Sequence, residues 1–186
     1  MSAGKFDLVN EDNLLQGCRK QDRKAQKALY EKYASRMFSV CMRYSKSREE
    51  AEDLLQEGFV TVFSKIDTFG SSGSLEGWMR RIFVNTALME LRKGNVLRDA
   101  VEVNDRARGI SSGDDILSGI GGRDIVKMIS AMPDGFRIVF NMSVIEGYTH
   151  QEIARELGIS EGTSRSQLSR ARIWLQERLR EKRNRR

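Results

Sequence analysis

The sequence has little of what disulfide-rich, metal-binding and membrane-spanning proteins need. Its 186 residues include two cysteines (Cys18 and Cys41), one histidine (His150) and one proline (Pro133). Two cysteines are too few for a disulfide scaffold, and neither lies in a spaced cluster of metal ligands. No apolar run has the length of a bilayer span, and no signal peptide is recognisable. We therefore expect reduced thiols, no metal, no cofactor, no membrane insertion and a cytoplasmic protein.

The chain is instead rich in charge. It carries 32 Lys and Arg against 26 Asp and Glu, so its net charge is +6, and charged residues make up 31% of it. A highly charged chain with a single proline favours helix-rich segments, and the basic excess favours a polyanionic partner. The length allows one large domain or two small ones.

The pattern between residues 149 and 175 predicts two short helices joined by a tight turn. Thr149 followed by Glu152 forms a capping box for the first helix. Gly158 suits a helix end with a positive φ, and Ser160 is a cap for the second helix. Apolar residues then recur at helical spacing to give the second helix an inward side: Leu168, Ala171 and Leu175.

The outward side of that second helix is polar and basic. It carries Arg165, Ser166, Ser169, Arg170 and Arg172. Arginine can donate two hydrogen bonds to guanine or pair with phosphate, and serine can bond to a base edge or to the backbone. Residues 160–186 contain nine Lys and Arg against three Asp and Glu, so the positive charge is concentrated here. A solvated helical hairpin is the plainer alternative, but caps, turn and charge together favour a DNA-binding helix-turn-helix.

Two helical blocks flank a segment of different composition. Residues 12–93 show apolar residues at helical spacing, with Ser47 and Ser74 as helix caps. Residues 94–122 contain six of the 16 glycines, no aromatic residue, and three Arg against five Asp and Glu. Such a segment buries too little apolar surface to offset the entropy lost on ordering. We expect an all-α protein with two helical domains, 12–93 and 123–180, joined by a flexible acidic linker at 94–122.

Two separated blocks of this sequence resemble the bacterial RNA polymerase sigma factors of the extracytoplasmic-function (ECF) type. The first block contains Asp-Leu-Leu-Gln-Glu at 53–57 and, at the spacing typical of that family, Trp-x-x-Arg-Ile-x-x-Asn at 78–85. The second block runs from 132 through the helix-turn-helix to 175. Together the blocks cover most of residues 22–180.

That resemblance implies a function. Members of the family are dissociable subunits of bacterial RNA polymerase; their first domain binds core polymerase and reads the minus-ten promoter element, and their second reads the minus-thirty-five element. We therefore expect a transcription initiation factor that directs core RNA polymerase to promoter DNA and aids promoter melting. The resemblance leaves open whether an anti-sigma factor is a further partner.

The resemblance also implies site residues. Polymerase binding is assigned to five residues of one helix: Asp53, Leu54, Gln56, Glu57 and Phe59. For the minus-ten element, an unstacked base needs a pocket with apolar walls and polar edges, for which Phe69 and Asn85 are the candidates. Residues expected nearer to phosphate are Arg80, Arg81, Arg92 and Lys93. Minus-thirty-five binding is assigned to the outward residues of the second helix, Arg165, Ser166, Ser169, Arg170 and Arg172.

Two other classes of protein remain as alternatives. A free-standing helix-turn-helix regulator would bind an operator as a dimer without polymerase. An enzyme acting on nucleic acid or nucleotides would need a metal-ligand cluster, a phosphate-binding glycine loop or a nucleophile paired with a base, and the sequence shows none of these. Asp53 and Glu57 share a helix face, and a protein interface is favoured over an acid–base pair or a solvated face. We expect no enzymatic activity and no catalytic residue.

Overall fold

The computed structural model describes residues 10–70, 73–93 and 128–184, without the side chain of Arg183. Every regular element in these ranges is helical, which confirms the predicted all-α fold for them. The predicted linker at 94–122 lies outside the described residues. The chain divides into two compact units, and the division falls within the helix that crosses residues 87 and 88. The predicted domain boundary at residue 93 lies beyond this division and stays a prediction.

Four helices form the first unit. They are α1 (Glu11–Arg19), α2 (Arg23–Tyr44), α3 (Arg48–Lys65) and α4 (Leu75–Lys93), with a 3-10 turn at Ile66–Thr68 after α3. A side-chain oxygen accepts from a backbone N–H at the start of all four helices: Asn10 at α1, Asp22 at α2 (from the Lys24 N–H at 2.7 Å), Ser47 at α3 and Ser74 at α4. The caps predicted at Ser47 and Ser74 are therefore present. Each cap satisfies a backbone N–H that has no partner within its helix.

Aromatic rings from α2, α3 and α4 pack together in the first unit. Phe59 lies with its ring centroid 4.6 Å from that of Tyr30 and meets Phe83 edge to face at 5.3 Å. Gly58 makes this approach possible, since a Cβ at that position would overlap the Phe83 ring. The absence of one side chain therefore sets how closely α3 and α4 pack.

The second unit contains α5 (Asp134–Phe140), a π-helical turn at Asn141–Ile145, α6 (His150–Leu157) and α7 (Glu161–Asn184). α5 begins directly after Pro133, the only proline in the chain. Buried apolar side chains from these helices form the core: Ile138, Val139, Phe140, Met142, Ile153, Leu168, Ala171, Leu175 and Leu179. Val144, within the π-helical turn, is 47% exposed and lies outside this core.

One charged side chain lies within this second core. Arg137 is 2% exposed and forms an ion pair with Asp134, with Nη2 2.6 Å from Oδ1. A buried guanidinium needs a partner, because moving a charge out of water is costly. The partner comes from three residues earlier on the same helix, so α5 provides both charges itself.

Candidate functional sites

The helix-turn-helix forms through the predicted capping contacts. Thr149 Oγ1 accepts from the Glu152 N–H at 3.2 Å, and Glu152 accepts from the Thr149 N–H at 2.8 Å, which completes the capping box. Gly158 ends α6 with φ 68°, a left-handed conformation that glycine adopts without strain. Ser160 Oγ then accepts from the Thr163 N–H at 2.9 Å at the start of α7. These contacts fix the turn between the two helices and confirm the prediction.

The outward face of α7 presents the predicted DNA-binding residues to different degrees. Arg165, Ser166 and Arg172 are exposed, whereas Ser169 and Arg170 are half-buried. Arg165 pairs with Glu161 one turn earlier at 2.8 Å, an exposed ion pair that is worth little in water. Ser166 Oγ donates to the Thr163 carbonyl at 2.9 Å. The exposed guanidinium groups of Arg165 and Arg172 are therefore the parts of this face most accessible to a polyanion.

A hydrogen bond that the sequence did not predict joins α6 to α7. His150 Nδ1 lies 2.8 Å from Ser164 Oγ, and Ser164 is fully buried. His150 is itself half-buried. A serine on the inward side of a helix is the sequence signal for such a contact, because a buried hydroxyl needs a partner.

On the other unit, α3 presents an exposed acidic face. Asp53, Gln56 and Glu57 are all exposed, as the spacing of three and four residues predicts. The same face continues to Val60, which is 68% exposed and was missed by sequence reasoning. An exposed valine beside two carboxylates is unlike a purely solvated face, since it offers apolar surface next to charge.

Two other residues assigned to polymerase contact lie in the core instead. Leu54 is 8% exposed, and Phe59 is 3% exposed within the aromatic cluster of α3 and α4. Their assignment to polymerase binding stays a prediction, although neither side chain is exposed for direct contact in this structure. The reason is helical geometry, because both positions turn away from the face that carries Asp53 and Glu57.

The outward side of α4 carries a second set of candidates. Arg81, Asn85, Met89 and Arg92 follow one another at intervals of four, four and three residues, and all four are exposed. We call this row the α4 stripe. Met89, 55% exposed, was not predicted. Lys93 adjoins the stripe and pairs with Glu90.

Arg80 belongs to a different side of α4. Its Nη2 lies 3.7 Å from Glu76, and Glu76 also pairs with Arg36 on α2. The structure therefore places Arg80 in an ion-pair network between two helices and does not align it with the α4 stripe.

Phe69 is not presented to solvent. Its ring is 7% exposed and lies 5.4 Å from the ring of Trp78, while its carbonyl accepts a hydrogen bond from Arg19 at 2.8 Å. The assignment of Phe69 and Asn85 to a base pocket stays a prediction, and in this structure the Phe69 ring packs against Trp78. Asn85 lies seven residues beyond Trp78 on α4, which is about 10 Å along the helix.

The described residues give no indication of a metal site or of a reactive thiol. No group of three or more metal-ligating side chains occurs among residues 10–70, 73–93 and 128–184. Within the same ranges no helix is both long and apolar enough to cross a membrane. Cys18 and Cys41 are buried, and burial raises the pKa of the two thiols to about 11 and about 12. Both are therefore protonated near neutral pH and weakly nucleophilic.

Comparison with protein families gives two matches that follow the two units. Residues 29–96 match sigma-70 region 2, and residues 122–175 match sigma-70 region 4. The first match covers α3, α4 and most of α2; the second covers α5, α6 and more than half of α7. A free-standing operator-binding regulator is not favoured, because that alternative leaves the region 2 match unexplained.

Individual relatives agree with these matches. The chain is 32% identical over 153 residues to the ECF RNA polymerase sigma factor SigE of Mycolicibacterium smegmatis, covering 80% of this chain and 59% of that protein. It is 29% identical over 177 residues to the ECF RNA polymerase sigma-E factor of Escherichia coli K12, covering 89% and 92%.

A solved structure shares the fold. The sigma factor RpoE of Bartonella quintana, crystallised with the anti-sigma factor NepR, aligns with 83% of this chain and 96% of its own, with a TM-score of 0.51 and 23% identity. One unit matches sigma-70 region 2, the other matches sigma-70 region 4, and the relatives named above are ECF sigma factors. The chain therefore belongs to the sigma-70 family as an ECF-type sigma factor, a transcription initiation factor.

Proposed function

We propose that this chain directs core RNA polymerase to specific promoters through three separate surfaces. The acidic face of α3 binds polymerase, the α4 stripe binds the minus-ten element, and the outward face of α7 binds the minus-thirty-five element. The observation that carries the proposal is the separation of charge, since exposed carboxylates lie on α3 while exposed arginines line α4 and α7. DNA would be repelled by the first surface and attracted by the other two.

The α3 face has the composition of a protein interface. Asp53 and Glu57 supply charge, Gln56 supplies an amide, and Val60 supplies apolar area that binding would remove from water. Charge gives an interface its specificity and association rate, whereas the apolar part contributes affinity. A basic, partly apolar surface on core polymerase is the complementary partner.

For the minus-ten element, we place the α4 stripe against melted DNA. Arg81 and Arg92 would pair with phosphate, and Asn85 lies between them with an amide that can bond to a base edge. Unstacking a base costs a few kcal/mol, which new contacts must offset. Met89 offers the apolar surface that such contacts need, whereas the Phe69 ring is buried in the free chain.

For the minus-thirty-five element, α7 would lie in the major groove. Arg165 is within the first turns of α7, where helix-turn-helix proteins contact base edges, and Arg172 lies two turns further along. We propose base contact by Arg165 and Ser166, with Ser169, Arg170 and Arg172 nearer to the backbone.

In this proposal the chain acts by binding, not by catalysis. The polymerase performs the chemistry, and the sigma factor supplies promoter selection and traps melted DNA. This role places the chain in the cytoplasm, where bacterial polymerase meets DNA. An anti-sigma factor is a further proposed partner, since RpoE of Bartonella quintana was crystallised with one.

The test of the α3 face is a charge reversal with a matched control. The variant Asp53→Arg with Glu57→Arg is expected to lose association with purified core polymerase in a pull-down while keeping its helical circular dichroism. The control Asp12→Arg with Glu31→Arg changes the net charge equally at exposed positions on α1 and α2 and is expected to bind as the unmodified chain does. Equal binding by both variants would remove the α3 face from the proposal.

A further inference from the structure

We propose that His150 and Ser164 act as a positioning pair that fixes the rotation of α7 against α6, and with it the promoter preference of the protein. This inference rests on the proposed function, namely that α7 reads promoter DNA. The observation behind it is the 2.8 Å hydrogen bond between His150 Nδ1 and Ser164 Oγ across the helix-turn-helix.

Ser164 stands where packing alone would favour an apolar side chain. It shares the inward face of α7 with Leu168 and Ala171, at spacings of four and seven residues, and all three are buried. A hydroxyl in such a place costs free energy unless it is hydrogen-bonded, and His150 bonds it in either neutral tautomer. The bond is directional, so it specifies one rotation of α7 where an apolar contact would tolerate several.

The pair lies beside the residues that would contact DNA. His150 is the first residue of α6, and Ser164 is the fourth residue of α7 and directly precedes Arg165. Side chains reach roughly 6 Å from a helix axis, so turning α7 by about 10° would move them by about 1 Å. A shift of that size is enough to break a base-specific hydrogen bond. A loss of the pair should therefore reduce sequence preference more than it reduces overall affinity.

The chain offers matched substitutions at His150. In His150→Asn, the side-chain amide occupies nearly the place of Nδ1, so the bond to Ser164 can be kept. In His150→Gln, the amide lies near the place of Nε2, and the bond is lost. Ser164→Ala removes the hydroxyl from the other side without adding bulk.

The experiment uses holoenzyme assembled from the full chain and core polymerase. An upstream element is first selected from duplex DNA randomised at that element. The affinity ratio between the selected duplex and one with a scrambled upstream element is then measured for each variant. This ratio compares two affinities of the same folded protein, so a change in the folded fraction cancels.

We expect the ratio to fall about three- to ten-fold in His150→Gln and in Ser164→Ala, the effect of about one net hydrogen bond. His150→Asn should keep the ratio, and the double variant His150→Gln with Ser164→Ala should be no worse than either single one. An unchanged ratio in both single variants, with a lowered ratio in Arg165→Ala, would overturn the positioning pair alone. An unchanged ratio in Arg165→Ala as well would overturn both the pair and the proposed role of α7.

Discussion

Gly58 offers the sharpest test of how the first unit packs. An alanine Cβ at this position would lie 2.7 Å from Phe83 Cζ and closer still to two other carbons of the same ring. Carbon atoms pack at about 3.5–4.0 Å, so the ring or the helix would have to move. Phe83 has little room to move, because it is 1% exposed and its ring meets Phe59 at 5.3 Å.

The expected magnitude for Gly58→Ala follows from two opposing terms. Overpacking a buried position costs about 1–3 kcal/mol, and the overlap with three ring carbons places this position at about 2–3 kcal/mol, while replacing glycine by alanine within a helix returns roughly 1 kcal/mol. We expect a net loss of about 1–2 kcal/mol in the free energy of unfolding, which lowers the Tm of a unit of this size by roughly 5–15 °C.

The assay is thermal unfolding of the full chain, with Gly162→Ala as the control. Gly162 also lies in a helix, but the atom nearest to a Cβ there is Ser160 Oγ at 3.6 Å, so that variant should be neutral or slightly stabilised. Phe83→Leu should partly relieve Gly58→Ala, giving a double variant more stable than the two single effects predict together. A Gly58→Ala protein as stable as the unmodified chain would refute the reasoning.

Three further predictions follow from the sites. Asn85→Ala should slow open-complex formation measured by permanganate footprinting while polymerase association stays unchanged, and equal loss of both steps would contradict a role in holding melted DNA. Arg165→Ala should weaken binding of the holoenzyme to a minus-thirty-five duplex by ~1–3 kcal/mol, in competition assays, with little change in Tm; unchanged binding would exclude Arg165 as a base contact. Cys18 and Cys41 should react slowly with iodoacetamide at pH 8 until the chain is unfolded. The pKa values of the two thiols in the folded chain, about 11 and about 12, exceed the ordinary 9.0. Their contribution to the free energy of unfolding should therefore be full below pH 9 and lost as the pH rises through 11 to 12. Rapid alkylation of the folded chain would contradict their burial.

Local sequence rules predicted the helix ends well, because a cap depends on residues only a few positions apart. The Thr149–Glu152 capping box and the positive φ of Gly158 both follow from side chains within one turn. The inward side of α7 could also be predicted, since helical spacing alone separates Leu168 from Ser166 and Arg170. These features need no knowledge of the rest of the chain.

Contacts between helices could not be predicted in the same way. Helical spacing turns Phe59 away from Asp53 and Glu57, but only the packing of α3 on α4 shows that its ring meets Phe83. The bond between His150 and Ser164 joins residues 14 positions apart through a turn whose geometry the sequence does not specify in detail. The burial of Phe69 could not be predicted for the same reason, because the residue contacts Trp78 and Arg19, which lie on two different helices.

The most direct test of the central claim is in vitro transcription from a genomic DNA library by core bacterial polymerase, with and without the purified chain, followed by mapping of the start sites. We predict that the chain produces a discrete set of starts, each preceded by the same two sequence elements, and that Asp53→Arg with Glu57→Arg abolishes them. The account would be contradicted if no new starts appeared and the chain instead bound a single operator tightly as a dimer without polymerase.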